Sequence, residues 1–170
     1  MKKFFINVRY FIVPVLCSVT ILGILIGGPF VWTGAILFLV GIAIDTLVIN
    51  YHTKGAGFDE SGKPYGIKEL QNLVMYLMLP IFVILQAVLA WRIFQYTNGT
   101  DFETVSLLGW LPVQTGITGL ELFGASISAG AFAGLGIIYG HELSHTKDIG
   151  WPISRIMMGL SGAAHFCYAH

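Results

Sequence analysis

The sequence predicts an all-α integral membrane protein of about four transmembrane helices, followed by a histidine-bearing helical segment on the cytoplasmic side. Three observations carry this reading. Hydrophobic residues make up 55% of the chain and charged residues 11%, whereas soluble domains carry about a quarter of charged residues. The mean hydropathy is +0.76. Almost uncharged windows of roughly 20 residues, the length that crosses the ~30 Å hydrocarbon core of a bilayer, recur four times.

The first window runs from about Tyr10 to Gly27 and the second from about Phe30 to Ile49, with Gly28-Pro29 between them as a tight extracytoplasmic turn. Met1-Lys2-Lys3 before an apolar run has the look of a signal peptide, but no small-residue cleavage site follows, so the first span reads as a retained helix. A polar stretch from Asn50 to Glu69, with Gly, Ser and Pro clusters, reads as a loop. The third window runs from about Asn72 to Trp91. Another loop, Thr97 to Gly119, carries Asp101 and Glu103 but no Lys or Arg, and the fourth window spans about Leu120 to Gly140.

Cytoplasmic loops collect Lys and Arg. An N-terminus inside places Lys2, Lys3, Arg9, Lys54, Lys63, Lys68, Lys147 and Arg155 on that face, so the segment after residue 140 is cytoplasmic. Arg92 is the exception, and a snorkelling side chain beside Trp91 accommodates it. Glu121 lies near the same opposite face and reads, like Arg92, as an anchor. Zero formal net charge argues against nucleic acid as a partner. Cys17 and Cys167 form no disulfide framework and read as bystanders. In the fourth window Gly130 and Gly134, then Gly136 and Gly140, stand at the spacing that lets helices approach closely.

The sharpest chemical signal is His141-Glu142-Leu143-Ser144-His145. Residues four apart share a helix face, so His141 and His145 can offer two imidazole nitrogens to one metal ion. The alternative is a pair of interfacial histidines without metal. Trp151-Pro152 predicts a helix break, followed from about Ile153 by a helical stretch reaching His165 and His170. His170 is a third candidate ligand. His165 either ligates, supports a ligand through a hydrogen bond, or is a plain interfacial histidine. Asp45, about one turn from the cytoplasmic end of the second span, either orients an imidazole or is solvated from the loop. Glu142 reads as a general base of the zinc-protease type or as a carboxylate on a ligand's second ring nitrogen. His52, alone in its loop, reads as solvated.

The stretch His141-Glu-Leu-Ser-His-Thr-Lys-Asp148, then Trp151, Arg155 and Ala164-His-Phe-Cys-Tyr-Ala-His170, resembles the membrane-bound alkane monooxygenases of the membrane fatty acid desaturase and hydroxylase superfamily. The family's first histidine box has the form H-E-x-x-H-K, and a second begins G-H-F-x-x-E-H. Here Thr146 intervenes before the lysine and Ala169 stands in place of the glutamate, a pattern that fits a divergent subgroup. Specific matching is confined to residues 141–170. Because the family continues with more histidines, the resemblance implies that residues 1–170 are the N-terminal part of one membrane di-iron oxygenase domain, truncated inside the second box and inactive alone.

What the resemblance further implies is a bacterial inner-membrane protein whose metal site faces the cytoplasm and holds two non-haem iron ions. Such a protein hydroxylates an unactivated C–H bond of an alkane or alkyl chain with O2 as co-substrate. Electrons come from a rubredoxin or similar carrier with its reductase, and the hydrophobic substrate arrives from membrane lipid, with Gly130 and Gly134 as candidates for lining its passage. A fatty acid desaturase or lipid hydroxylase of the same superfamily is the nearest alternative. From other classes come an intramembrane zinc protease, since H-E-x-x-H supplies two zinc ligands and a base, and a non-enzymatic membrane scaffold.

Overall fold

The computed structural model describes residues 8–49 and 67–163. Among these the chain is mostly helical: α1 (Ile12–Ile26), α2 (Thr33–Ile49), α3 (Lys68–Asn98), α4 (Gly119–Ser144) and α5 (Gly150–Leu160), with two short strands, β1 (Thr104–Leu107) and β2 (Leu111–Gln114), between α3 and α4. Three stretches are long and apolar enough to cross a membrane: Gly28–Leu47 of 20 residues, Glu69–Asn98 of 30 and Gly119–Ser144 of 26. The first expected span is shorter. α1 has 15 residues, or about 22 Å at 1.5 Å per residue, so the structure supports three spans by length rather than four.

The elements begin and end where backbone chemistry dictates. α1 closes at Gly27, whose φ of +87° is a conformation that suits glycine. A 3₁₀ turn over Gly28–Trp32 leads directly into α2, so the expected Gly28-Pro29 turn is present. α3 outruns its apolar window at both ends and stops at Gly99 in the left-handed region. Thr118 and Glu121 form a reciprocal capping box at the start of α4: the Thr118 amide donates to Glu121 Oε2 at 2.7 Å and the Glu121 amide to Thr118 Oγ1 at 3.2 Å. Glu121 is therefore a helix cap rather than a headgroup anchor. The expected loop from Thr97 to Gly119 is mostly ordered structure, the end of α3 and an antiparallel hairpin pairing Thr104 with Gln114 and Leu107 with Leu111.

Pairwise contacts set the helix directions. Arg92 of α3 reaches the carbonyls of Ile24 and Leu25, so α1 and α3 end on the same side. Ser128 Oγ donates to the Val31 carbonyl at 2.6 Å and accepts from the Ala35 amide at 3.0 Å, so α2 and α4 both start on that side. The helices alternate in direction, as an up-down bundle requires. Gly34 permits the crossing: a Cβ there would lie 2.5 Å from Thr20 Cγ2 and 2.8 Å from Ser128 Cβ. Cys17, Ile24, Met78, Phe82, Leu85, Ala129 and Phe132 fill the core between α1, α3 and α4. The far half of α2 leaves this core, and every residue from Leu39 to Leu47 is exposed.

Arg92 is 0% exposed, so it does not snorkel. Its guanidinium donates through Nε to Ile24 O at 2.8 Å, through Nη2 to Leu25 O at 2.8 Å, and through Nη1 to Gln114 O at 2.6 Å and Gln95 Oε1 at 2.8 Å. One planar fork thus joins the end of α1, the body of α3 and the end of β2. The expected neighbour Trp91 does lie against it, 4.6 Å from ring centroid to guanidinium carbon. Replacing Arg92 with alanine would strand three carbonyls. At about 1–3 kcal/mol for a buried group left unsatisfied, R92A should lower unfolding free energy by several kcal/mol, and R92K, lacking the fork, should recover only part. Denaturant titration of the purified protein in detergent micelles, followed by tryptophan fluorescence, measures both.

Candidate metal site

α4 carries the histidine motif without a break. His141 lies in its last turn and His145 is its C-terminal cap residue, with φ −80° and ψ −5°. The helical register therefore holds through both residues, and their ring nitrogens converge: Nε2 to Nε2 is 3.2 Å, with ring planes 86° apart. For nitrogens about 2.0–2.1 Å from a metal, that separation corresponds to a nitrogen–metal–nitrogen angle of roughly 100–105°, between octahedral and tetrahedral values. The pair fits two adjacent positions on one ion. It equally fits a direct N–H···N hydrogen bond in which one ring donates.

No group of three or more metal-binding side chains occurs among the described residues. His165 and His170, respectively the candidate support and the candidate ligand of the second cluster, lie outside the described residues. The path toward them is partly visible. α5 begins at Gly150, with Pro152 in its first turn where a missing N–H costs nothing. The break thus precedes Pro152 rather than following it. α5 then folds back along α4, with Ser154 Oγ donating to Gly140 O at 2.6 Å and Gln86 Nε2 of α3 donating to Leu160 O at 3.0 Å. Six residues lie between Ala163 and His170, and the seven steps reach up to about 23–25 Å. Ser161 packs against Gly136, one and a half turns, or about 7.5 Å, before His141, so the distance to the pair is within that reach.

The other candidates are placed less evenly. Phe38 of α2 stacks edge-on to Phe132 of α4 at 6.4 Å, and the two helices run parallel. Seven residues further along each, Asp45 stands at the depth of Tyr139, half a turn short of His141. Depth is all they share, because Asp45 is exposed and the far half of α2 has left the core. Glu142 is exposed, turned off the face that presents the two histidines.

The two glycine pairs of α4, alike in sequence, differ in surroundings. A Cβ on Gly140 would lie 2.9 Å from Met158 Cγ, and one on Gly136 3.2 Å from Phe82 Cε2, so this pair seats α5 and α3. Around Gly130 and Gly134 a Cβ would meet nothing within 4 Å. At 100° per residue, Gly130, Gly134, His141 and His145 fall on one side of the helix. Ile137 stands on the same side between Gly134 and His141, so the face is open at the two glycines and apolar from there to the histidine pair.

Sequence reasoning passed over Arg92, Ser128, Ser154 and Gln86 as structural hydrogen-bonding groups. Only Arg92 carried a signal, an ionisable residue close to an apolar window. Comparisons with protein-family models, with characterised proteins and with solved structures give no match to this chain.

A metal-binding pair predicts that cobalt(II), added to the purified protein, develops visible ligand-field absorption. H141A and H145A should each weaken that binding by more than the about 10- to 100-fold typical of losing an outer-shell partner. Glu142→Gln should change it little.

Proposed function

We propose that the chain is part of a membrane monooxygenase of the non-haem di-iron type, acting on a C–H bond of a hydrophobic substrate such as an alkane or alkyl chain. The observation that carries this reading is the convergence of His141 and His145 on the same side of α4 as Gly130 and Gly134, around which the surface is open. An imidazole pair suits iron, and an apolar strip ending at that pair suits a substrate drawn from the bilayer.

In this reading His141 and His145 hold metal, His170 is a further ligand and His165 supports a ligand by hydrogen bonding, whereas Glu142 and Asp45, both exposed and off the histidine face, take no part in positioning them. Two bound iron ions would supply O2 activation, chemistry that no protein side chain provides alone. The chain's own residues bind and orient. Gly130 and Gly134 give an extended chain room against the helix, and the closely packed Gly136–Gly140 face fixes α5 beside the site. A full ligand set for two irons needs imidazoles beyond those in this sequence, so the reading places residues 1–170 at the N-terminal end of a longer protein. α1, with the 3₁₀ turn Arg9–Phe11 before it, serves as a fourth, short span. The distribution of Lys and Arg supports a histidine end facing the cytoplasm of a bacterial inner membrane, where a rubredoxin-type carrier delivers electrons.

The helical H-E-x-x-H also supports a second reading, an intramembrane zinc protease with Glu142 as base. Metal content separates the two. The native gene product, purified from its own membrane, should exceed 18.6 kDa and contain iron. With isotopically labelled O2 and an alkane it should return labelled alcohol, and H141A should abolish the label. A zinc protein that cleaves peptides and incorporates no label would overturn the proposal, and an unsaturated product would move it to the desaturases. In the same native protein, Gly130→Leu and Gly134→Leu should shorten the longest alkane accepted, read as the product profile across a chain-length series.

A further inference from the structure

The hairpin between α3 and α4 has an apolar tip left exposed by the described residues. Leu108 is 79% exposed and Trp110 71%, and Phe102, Val105 and Leu107 are exposed as well. Leu108 has φ +55° and Gly109 φ +79°, the primed turn that matches strand twist. Asparagine or glycine is usual where leucine stands, and leucine there costs about 1–2 kcal/mol. The sequence therefore keeps a large apolar side chain at a position where backbone energetics disfavour it.

Where the hairpin sits narrows what can cover that tip. It connects Asn98, the end of one membrane-crossing helix, to Gly119, the start of the next. Gln114 at the end of β2 bonds through its carbonyl to Arg92, beside the end of α1, and Leu111 and Val113 turn inward. The ribbon thus lies against the bundle's end rather than standing off it. At about 3.4 Å per residue, the three steps from Gln114 to Leu111 carry the tip about 10 Å from the Arg92 contact. No Lys or Arg occurs between Ile93 and Thr146, so nothing cationic holds the tip in water, and tryptophan favours the headgroup level of a bilayer.

We propose that the tip, Leu107 to Trp110, inserts into the membrane interface and anchors the end of the bundle opposite the histidine pair, with lipid at the headgroup–acyl boundary as its partner. The inference is independent of the function proposed above. A nitroxide placed at Leu108→Cys tests it, in a chain carrying Cys167→Ser and retaining the fully buried Cys17, reconstituted into phosphatidylcholine–phosphatidylglycerol vesicles. Relaxation by oxygen should exceed relaxation by a water-soluble nickel chelate several-fold, and the order should reverse at a Lys147→Cys control. Nickel-dominated relaxation at position 108 would place the tip in water and overturn the proposal. Low accessibility to both would show a protein cover, whether a partner or a second copy, and overturn it equally. Trp110→Phe gives a separate reading: it should remove a fluorescence component that lipids brominated near the headgroup quench in the unlabelled protein.

Discussion

A guanidinium shut away at the end of a helix bundle has to be met atom by atom, and Arg92 is met entirely by oxygens that carry no formal charge. Three are backbone carbonyls, two from the last turn of α1, where the helix leaves its own carbonyls without partners. The arrangement solves two problems together. A helix end inside a low-dielectric bundle needs donors, and a buried cation needs acceptors. Because the fork also takes the Gln114 carbonyl, the hairpin is fixed to the same point, and the positions of α1, α3 and β2 become one constraint.

The opposite end is organised by close approach rather than by charge. Gly136 and Gly140 let α5 fold back on α4, and the Ser154 hydroxyl satisfies a helix carbonyl across that contact. α4 is thereby held along one side, while on its other side Gly130 and Gly134 meet no side chain among the described residues. A rigid helix that presents ligands at a fixed spacing suits metal binding, because the geometry is set before any ion arrives.

Apolar length made α2, α3 and α4 legible in the sequence, and the i, i+4 spacing of His141 and His145 made their convergence legible too. α1 was harder, because a 3₁₀ turn takes up residues that hydropathy counts as span. The hairpin was missed because runs as short as Thr104–Leu107 carry too little periodicity to separate from loop. Arg92 was misplaced for a different reason: backbone carbonyls have no sequence signature, so an arginine bound by them looks like one seeking headgroups. The glycine pairs show the same limit, since identical spacing serves packing in one pair and leaves space in the other. The depth of Asp45 followed from counting residues, but its separation from the bundle depends on where α2 diverges. His165 and His170 lie outside the described residues.

The order of Arg92's partners along the chain bears on how the protein enters its membrane. A charged residue within a nascent span opposes partitioning into lipid, by about 2.5–3.5 kcal/mol at the helix centre and by less toward its ends. Ile24 and Leu25 precede Arg92 by 68 and 67 residues, so their carbonyls emerge from the ribosome first and are already waiting when α3 arrives. Gln114 follows by 22 and closes the coordination afterwards. A chain lacking α1 would bring that arginine to the bundle with two of its acceptors missing.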